Sequence, residues 1–209
     1  MRFFRLLLLS YVMLASLTPH AAHAASDVRL SEILAAPGRD WDNSGAFSSR
    51  DDEWIEIVNA GAATVDLTSY FVTDGDSIAR FGFSGTLAPG AALLVTGAQS
   101  VAWERATAHP VFGLSLGNTG DKVMLWQVVG GDTTLVESYT YKTHESATDR
   151  AIGRTADGSE WKLEDSLNPY TGTVLPSGTG CPPTPGVPNS CGTTPARRTT
   201  WGGVKALYR

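Results

Sequence analysis

The sequence predicts an all-β protein, an antiparallel β-sandwich with long connecting loops. Three observations predict it. Short β-branched and aromatic runs recur roughly every ten residues, enough for seven or eight strands. Clusters of Gly, Pro, Asn and Asp separate them, and no long stretch keeps a helical period. Strands broken by turns, without helices between them, favour a sandwich over alternating βα units.

The first 24 of the 209 residues read as a secretory signal. Arg2 and Arg5 supply a basic start, Leu6 to Leu17 an apolar core, and Ala22-His23-Ala24 a small-x-small cleavage site. That apolar run is too short to span a bilayer, so no transmembrane segment is expected after cleavage. Asp27 to Leu34 reads as a strand with broken phase. Val28 and Leu30 share a face that Ile33 leaves, and a bulge between them repairs the alternation. Glu53 to Asn59 is the clearest strand, with Ile55 and Ile57 on one face and Trp54, Glu56 and Val58 on the other.

Thr64 to Thr73 reads as one strand, Ile78 to Phe83 as a second and Ala91 to Thr96 as a third. Residues 98–110 show no period, and Val101-Ala102-Trp103 fits one helical turn or an anchor beneath a loop. Lys122 to Val129 and Thr133 to Tyr141 flank Gly130-Gly131-Asp132, a hairpin signal. From 142 onward turn residues dominate, which predicts a wrapping segment anchored by Ile152 and Trp161. The domain is expected to span 25–191, followed by a polar linker at 192–200. Residues 201–209 place Val204, Leu207 and Tyr208 on one face of a short helix, which predicts a flexible docking or sorting peptide.

Signal removal takes away Arg2 and Arg5 and no acid, so the net charge moves from −5 to −7. An acidic exported chain repels phosphate backbones, which argues against nucleic-acid partners. The expected location is extracellular, at the cell surface or in the periplasm. In such an oxidising compartment Cys181 and Cys191 are expected to pair, closing a short proline-stiffened loop.

Six motifs in order resemble those of a bacterial, secreted lamin tail domain. They are Leu30-Ser31-Glu32-Ile33; Asp52-Glu53-Trp54-Ile55-Glu56-Ile57-Val58-Asn59; Val65-Asp66-Leu67-Thr68-Ser69-Tyr70; Leu87-Ala88-Pro89-Gly90; Leu116-Gly117-Asn118-Thr119-Gly120-Asp121; and Thr184-Pro185-Gly186-Val187-Pro188-Asn189. The resemblance implies an immunoglobulin-like sandwich with a binding or structural role. It carries no catalytic residues across.

The acidic loop is the sharpest candidate site. Asp40, Asp42 and Ser44 stand at positions 1, 3 and 5 of a calcium-loop spacing, with Gly45 at 6 and Asp51 at 12. The Ala46 carbonyl and Ser48 complete the expected ligand set for Ca2+. The bland alternative is a polar turn whose Asp and Asn side chains bond nearby amides. Glu32 and Glu56, on neighbouring strands, have the residue types of a glycosidase pair; a buried carboxylate bonded to backbone or to Arg150 or Arg154 is the simpler reading. Trp54, Trp126 and Trp161 are expected in or beside the core. Trp41 and Tyr170, in loops, suit either loop anchoring or stacking on sugar rings. His109 and His144 lack a metal-ligand spacing. These residues predict a non-enzymatic module, with calcium as the candidate stabiliser, meeting a protein or glycan at the cell surface. Carbohydrate binding or adhesion is the alternative class, and glycoside hydrolysis the remaining one.

Overall fold

The computed structural model describes residues 27–190. The expected signal peptide at 1–24, the linker at 192–200 and the peptide at 201–209 lie outside the described residues. In chain order the elements are β1 (Val28–Leu34), β2 (Trp54–Asn59), β3 (Val65–Asp66), β4 (Tyr70–Thr73), β5 (Ala79–Gly82), β6 (Thr86–Leu87), β7 (Ala92–Thr96), α1 (Gly97–Ala106), β8 (Gly120–Val129), β9 (Asp132–Lys142), β10 (Ala151–Arg154) and β11 (Trp161–Glu164). One sheet has the order β11-β10-β1-β2-β7 and the other β5-β4-β8-β9, while β3 and β6 form a separate pair. The pairings between these strands are antiparallel, and one isolated parallel bridge joins Leu163 to Gly178.

The expected bulge is present. The β1–β2 register shifts between Leu30 and Glu32, so Ser31 is the extra residue and Val28, Leu30 and Ile33 all reach the core. They meet Ile55 and Ile57 of β2, Ile152 and Leu163 of the β10–β11 hairpin, and Val72, Val123 and Leu125 of the other sheet. Burial of this continuous apolar layer is the main favourable term in folding.

Three expectations need correction. Thr64 to Thr73 is not one strand: the Asp66 carboxylate accepts from Thr68 N at 2.9 Å, and this local bond turns the chain between β3 and β4. Residues 97–106 form a ten-residue helix rather than one turn. Its start is a capping box, with Gln99 N donating to Thr96 Oγ1 and Thr96 N to Gln99 Oε1. The segment after 142 does more than wrap: β10 and β11 extend the first sheet beside β1. Ile152 is buried there as expected, whereas Trp161 is half-buried against Tyr139 at 4.2 Å.

Alternation along the first sheet sends a second set of residues away from the core. Leu34, Trp54 and Ala151 form their own buried cluster on that outer face, with Trp41 and Leu94 against it. Glu32, Glu56 and Glu164 lie on the same face. Two segments cover it: the acidic loop over Trp54, and the stretch 177–189 over the carboxylates.

Candidate functional site

The acidic loop folds over Trp54 and is held by backbone bonds where it enters β2. Gly97 N donates to Glu53 O at 2.7 Å and Ala98 N to Asp51 O at 3.0 Å, tying the loop to the start of α1. A side chain at 97 would run into the Arg50 carbonyl, so only glycine allows this approach.

Asp52 organises the loop. Its Oδ1 accepts from Trp41 N at 2.6 Å and Asp42 N at 2.9 Å, and its Oδ2 from Ser48 N at 2.7 Å. Asp40 accepts from Ser44 N at 3.0 Å and Gly45 N at 2.8 Å, and Asp42 from Ser44 N at 2.9 Å. Trp41 is an anchor: its ring meets Trp54 edge-on at 6.1 Å, and its Nε1 donates to Asp149 Oδ1 at 2.9 Å. Asp149 also accepts from Gly38 N and pairs with Arg39, whose guanidinium lies 5.5 Å from the Trp41 ring centre. The loop is therefore closed by carboxylates at both ends.

Of the six expected ligands, the structure brings two carboxylates together. Oxygens of Asp40, Asp42 and Asp52 all lie within 4.8 Å of one another. Asp51, expected at the twelfth position, instead accepts from Arg50 Nε at 2.7 Å, and this partner holds its carboxyl below the usual range. Ser44 Oγ donates to the Ala46 carbonyl at 3.1 Å, and Ser48 Oγ accepts from Asp51 N at 3.2 Å. The third carboxylate is thus the neighbour of the predicted one. Parity along β2 marked it: Asp52 is in phase with Trp54 and Glu56, so it turns to the outer face that the loop covers. Glu53, out of phase with them, reaches the other way and accepts from Leu116 N at 3.1 Å.

Glu32 and Glu56 are fully buried beneath the 184–189 segment. Neither bonds to Arg150 or Arg154, as the sequence had suggested. Arg150 donates to the carbonyls of His144 and Asn168, and Arg154 donates to those of Leu30 and Gly158 and pairs with Glu137. Glu56 Oε2 accepts from Gly186 N at 2.8 Å, and a Glu32 oxygen from Thr184 N at 3.1 Å. The pair is not open to a cleft, as glycosidic cleavage would need.

Asn189 Nδ2 donates to the carbonyls of Ser31 and Arg154, so its Oδ1 accepts from Thr184 Oγ1 at 2.7 Å. The same hydroxyl is shared with Glu32 Oε2, to which it donates at 2.6 Å. Burial outweighs these donors and pushes Glu32 up to about 8 and Glu56 to about 7.

Among sequence features outside the loop, His109 and His144 pack against Trp103 and Tyr170. Tyr170 also lies under the Arg150 guanidinium at 5.3 Å, as an anchoring residue would. Cys181 is half-buried; Cys191 lies outside the described residues. No helix among the described residues is long and apolar enough to cross a membrane.

A family model described as Lamin Tail Domain matches residues 21–143. The chain belongs to the lamin tail domain family. No curated protein matches it. The sandwich and its antiparallel pairing agree with the immunoglobulin-like fold of that family. In this lamin tail domain the sheet continues past the matched stretch, since β10 pairs directly with β1.

Proposed function

We propose that this lamin tail domain is an exported, non-enzymatic binding and structural module whose acidic loop is stiffened by Ca2+. The observation that carries the cation is the convergence of Asp40, Asp42 and Asp52 within 4.8 Å. Three carboxylates this close repel one another, and a divalent ion with oxygen ligands offsets that repulsion. Ser44, Ser48 and the Ala46 carbonyl lie in the same loop as further oxygen donors, and Asp51 is left to Arg50. A filled loop presents a fixed surface to a protein or glycan outside the cell. A Cys181–Cys191 disulfide would staple the end of the covering segment.

Thermal melts with CaCl2 and then with chelator test this. Calcium at a hundred times its Kd is expected to stabilise the fold by about 2.7 kcal/mol. Asp40→Asn with Asp42→Asn should remove that gain. A melting temperature unmoved by millimolar calcium would rule out the ion.

A further inference from the structure

The outer face of the second sheet carries an aromatic cleft. Alternation along β4 sends Tyr70 and Val72 into the core and Phe71 outward. Phe71 stacks on Trp126 of β8, with ring centres 6.3 Å apart and planes 11° apart. Its partner across β5 is Gly82, where a Cβ would stand 3.0 Å from the Trp103 indole. The missing side chain lets Trp103 of α1 lie close over the strand, and His109 packs on it at 4.5 Å.

A cleft of about 300 Å3 lies among Thr68, Ser69, Phe71, Gly82, Trp103 and His109. None of its lining residues is Lys, Arg, Asp or Glu. Two of its polar groups, on His109 and Ser69, keep unused hydrogen-bonding capacity, as hydrogen counting shows. Thr107 Oγ1 donates its one proton to the Trp103 carbonyl at 2.7 Å, so the 2.8 Å contact with His109 Nδ1 is donated by the ring. In the neutral imidazole Nε2 is then an acceptor, and no described residue donates to it. Ser69 Oγ accepts from Gln127 Nε2 at 3.4 Å, and its own proton has no acceptor among the described residues.

We infer that this cleft binds a neutral pyranose unit of a glycan chain, a ligand class that deepens the non-enzymatic binding reading and rests on it. Phe71 takes the apolar C–H face of the sugar, with Trp103 beside it as the cleft wall. His109 Nε2 accepts from one sugar hydroxyl, and Ser69 donates to another. An apolar peptide or acyl chain would fill the same space but leave both polar groups facing carbon, at a desolvation cost. A charged ligand would meet no counter-charge.

The test is a panel of neutral hexasaccharides of glucose, N-acetylglucosamine, mannose and galactose, with the best binder titrated calorimetrically against the mature chain. At least one is expected to bind. Phe71→Ala and His109→Phe, which keeps an aromatic ring but removes the acceptor, should each weaken binding about tenfold. Melts identify a variant that fails to fold, and Ser69→Ala then replaces it. No binding by any of the four, or full affinity in the folded variants, overturns the site. Release of shorter sugars, with binding still lost in the variants, would keep the cleft and overturn the non-enzymatic reading instead.

Discussion

Replacing Arg80 by methionine is expected to destabilise the domain by about 3–5 kcal/mol, because it strands buried carboxylates. The Arg80 side chain is 3% exposed, and its Nη2 meets Asp74 and Asp76 at 2.7 Å each. Its Nη1 stands 3.8 Å from Glu104, a fully buried residue of α1. The guanidinium also lies 5.0 Å from the Phe112 ring centre. Glu104 in turn accepts from Phe112 N and Gly113 N at 2.8 Å, and Ser100 Oγ donates to the Arg80 carbonyl at 2.6 Å. One guanidinium therefore ties β5 to α1, to the 74–76 turn and to the 111–113 loop. Burial already raises Asp74 to about 6, against the pull of Arg80, so losing the cation leaves that carboxyl little reason to ionise. A melt of Arg80→Met should fall by about 10 °C for a domain of this length. A fall of only a degree or two would mean that the cluster behaves as a solvated surface pair.

Stability should also decline on the alkaline side, and Glu32 should be a principal cause. Its ordinary value is 4.5 and burial lifts it to about 8, so the folded chain holds a proton that the unfolded chain releases. Glu32's contribution is fully present below about pH 4.5 and is lost as pH rises through about 8. Glu53 (about 8) and Glu56 (about 7) are raised by burial as well and titrate in the same window. The wild-type melting temperature is thus expected to drop between pH 5.5 and pH 9. Glu32→Gln, whose amide keeps one donor and one acceptor toward Thr184, should cost less than about 1.5 kcal/mol and make the decline shallower. Glu32→Ala should cost about 2–4 kcal/mol at pH 5.5 and less at pH 9, because Thr184 N and Oγ1 lose their partner. An alkaline decline as steep in Glu32→Gln as in the wild type would show that Glu32 is already ionised in the fold.

Period-two alternation made most of this architecture legible. It gave Ile55 and Ile57 to the core and Trp54 and Glu56 to the opposite face, and the broken phase of β1 marked the bulge at Ser31. Helix α1 is legible only as the single turn at Val101-Ala102-Trp103, because its ten residues lack a clear apolar stripe; the Thr96 and Gln99 capping pair is the signal for its start. The β10–β11 hairpin was hidden by turn residues, although Asp157-Gly158 between Ala151–Arg154 and Trp161–Glu164 is a hairpin turn of the ordinary kind. In the acidic loop the ligand spacing pointed to Asp51, while strand parity points to Asp52. Local spacing could not choose between adjacent aspartates, because pairing with a distant strand decides which one turns inward. Arg80 was illegible for a similar reason: Asp74 and Asp76 are its sequence neighbours, but Glu104 arrives only when α1 docks on β5.

In this lamin tail domain the acidic loop's own carboxylates hold it in place before any ion binds. Amide hydrogen exchange at Trp41, Asp42, Ser44, Gly45 and Ser48, whose N–H groups all end on Asp40, Asp42 or Asp52, measures that directly. Protection of these five amides well above that of an open loop, and loss of it at Trp41, Asp42 and Ser48 in Asp52→Ala, is the expected result. Exchange at the rate of an unstructured peptide in the wild type would contradict it.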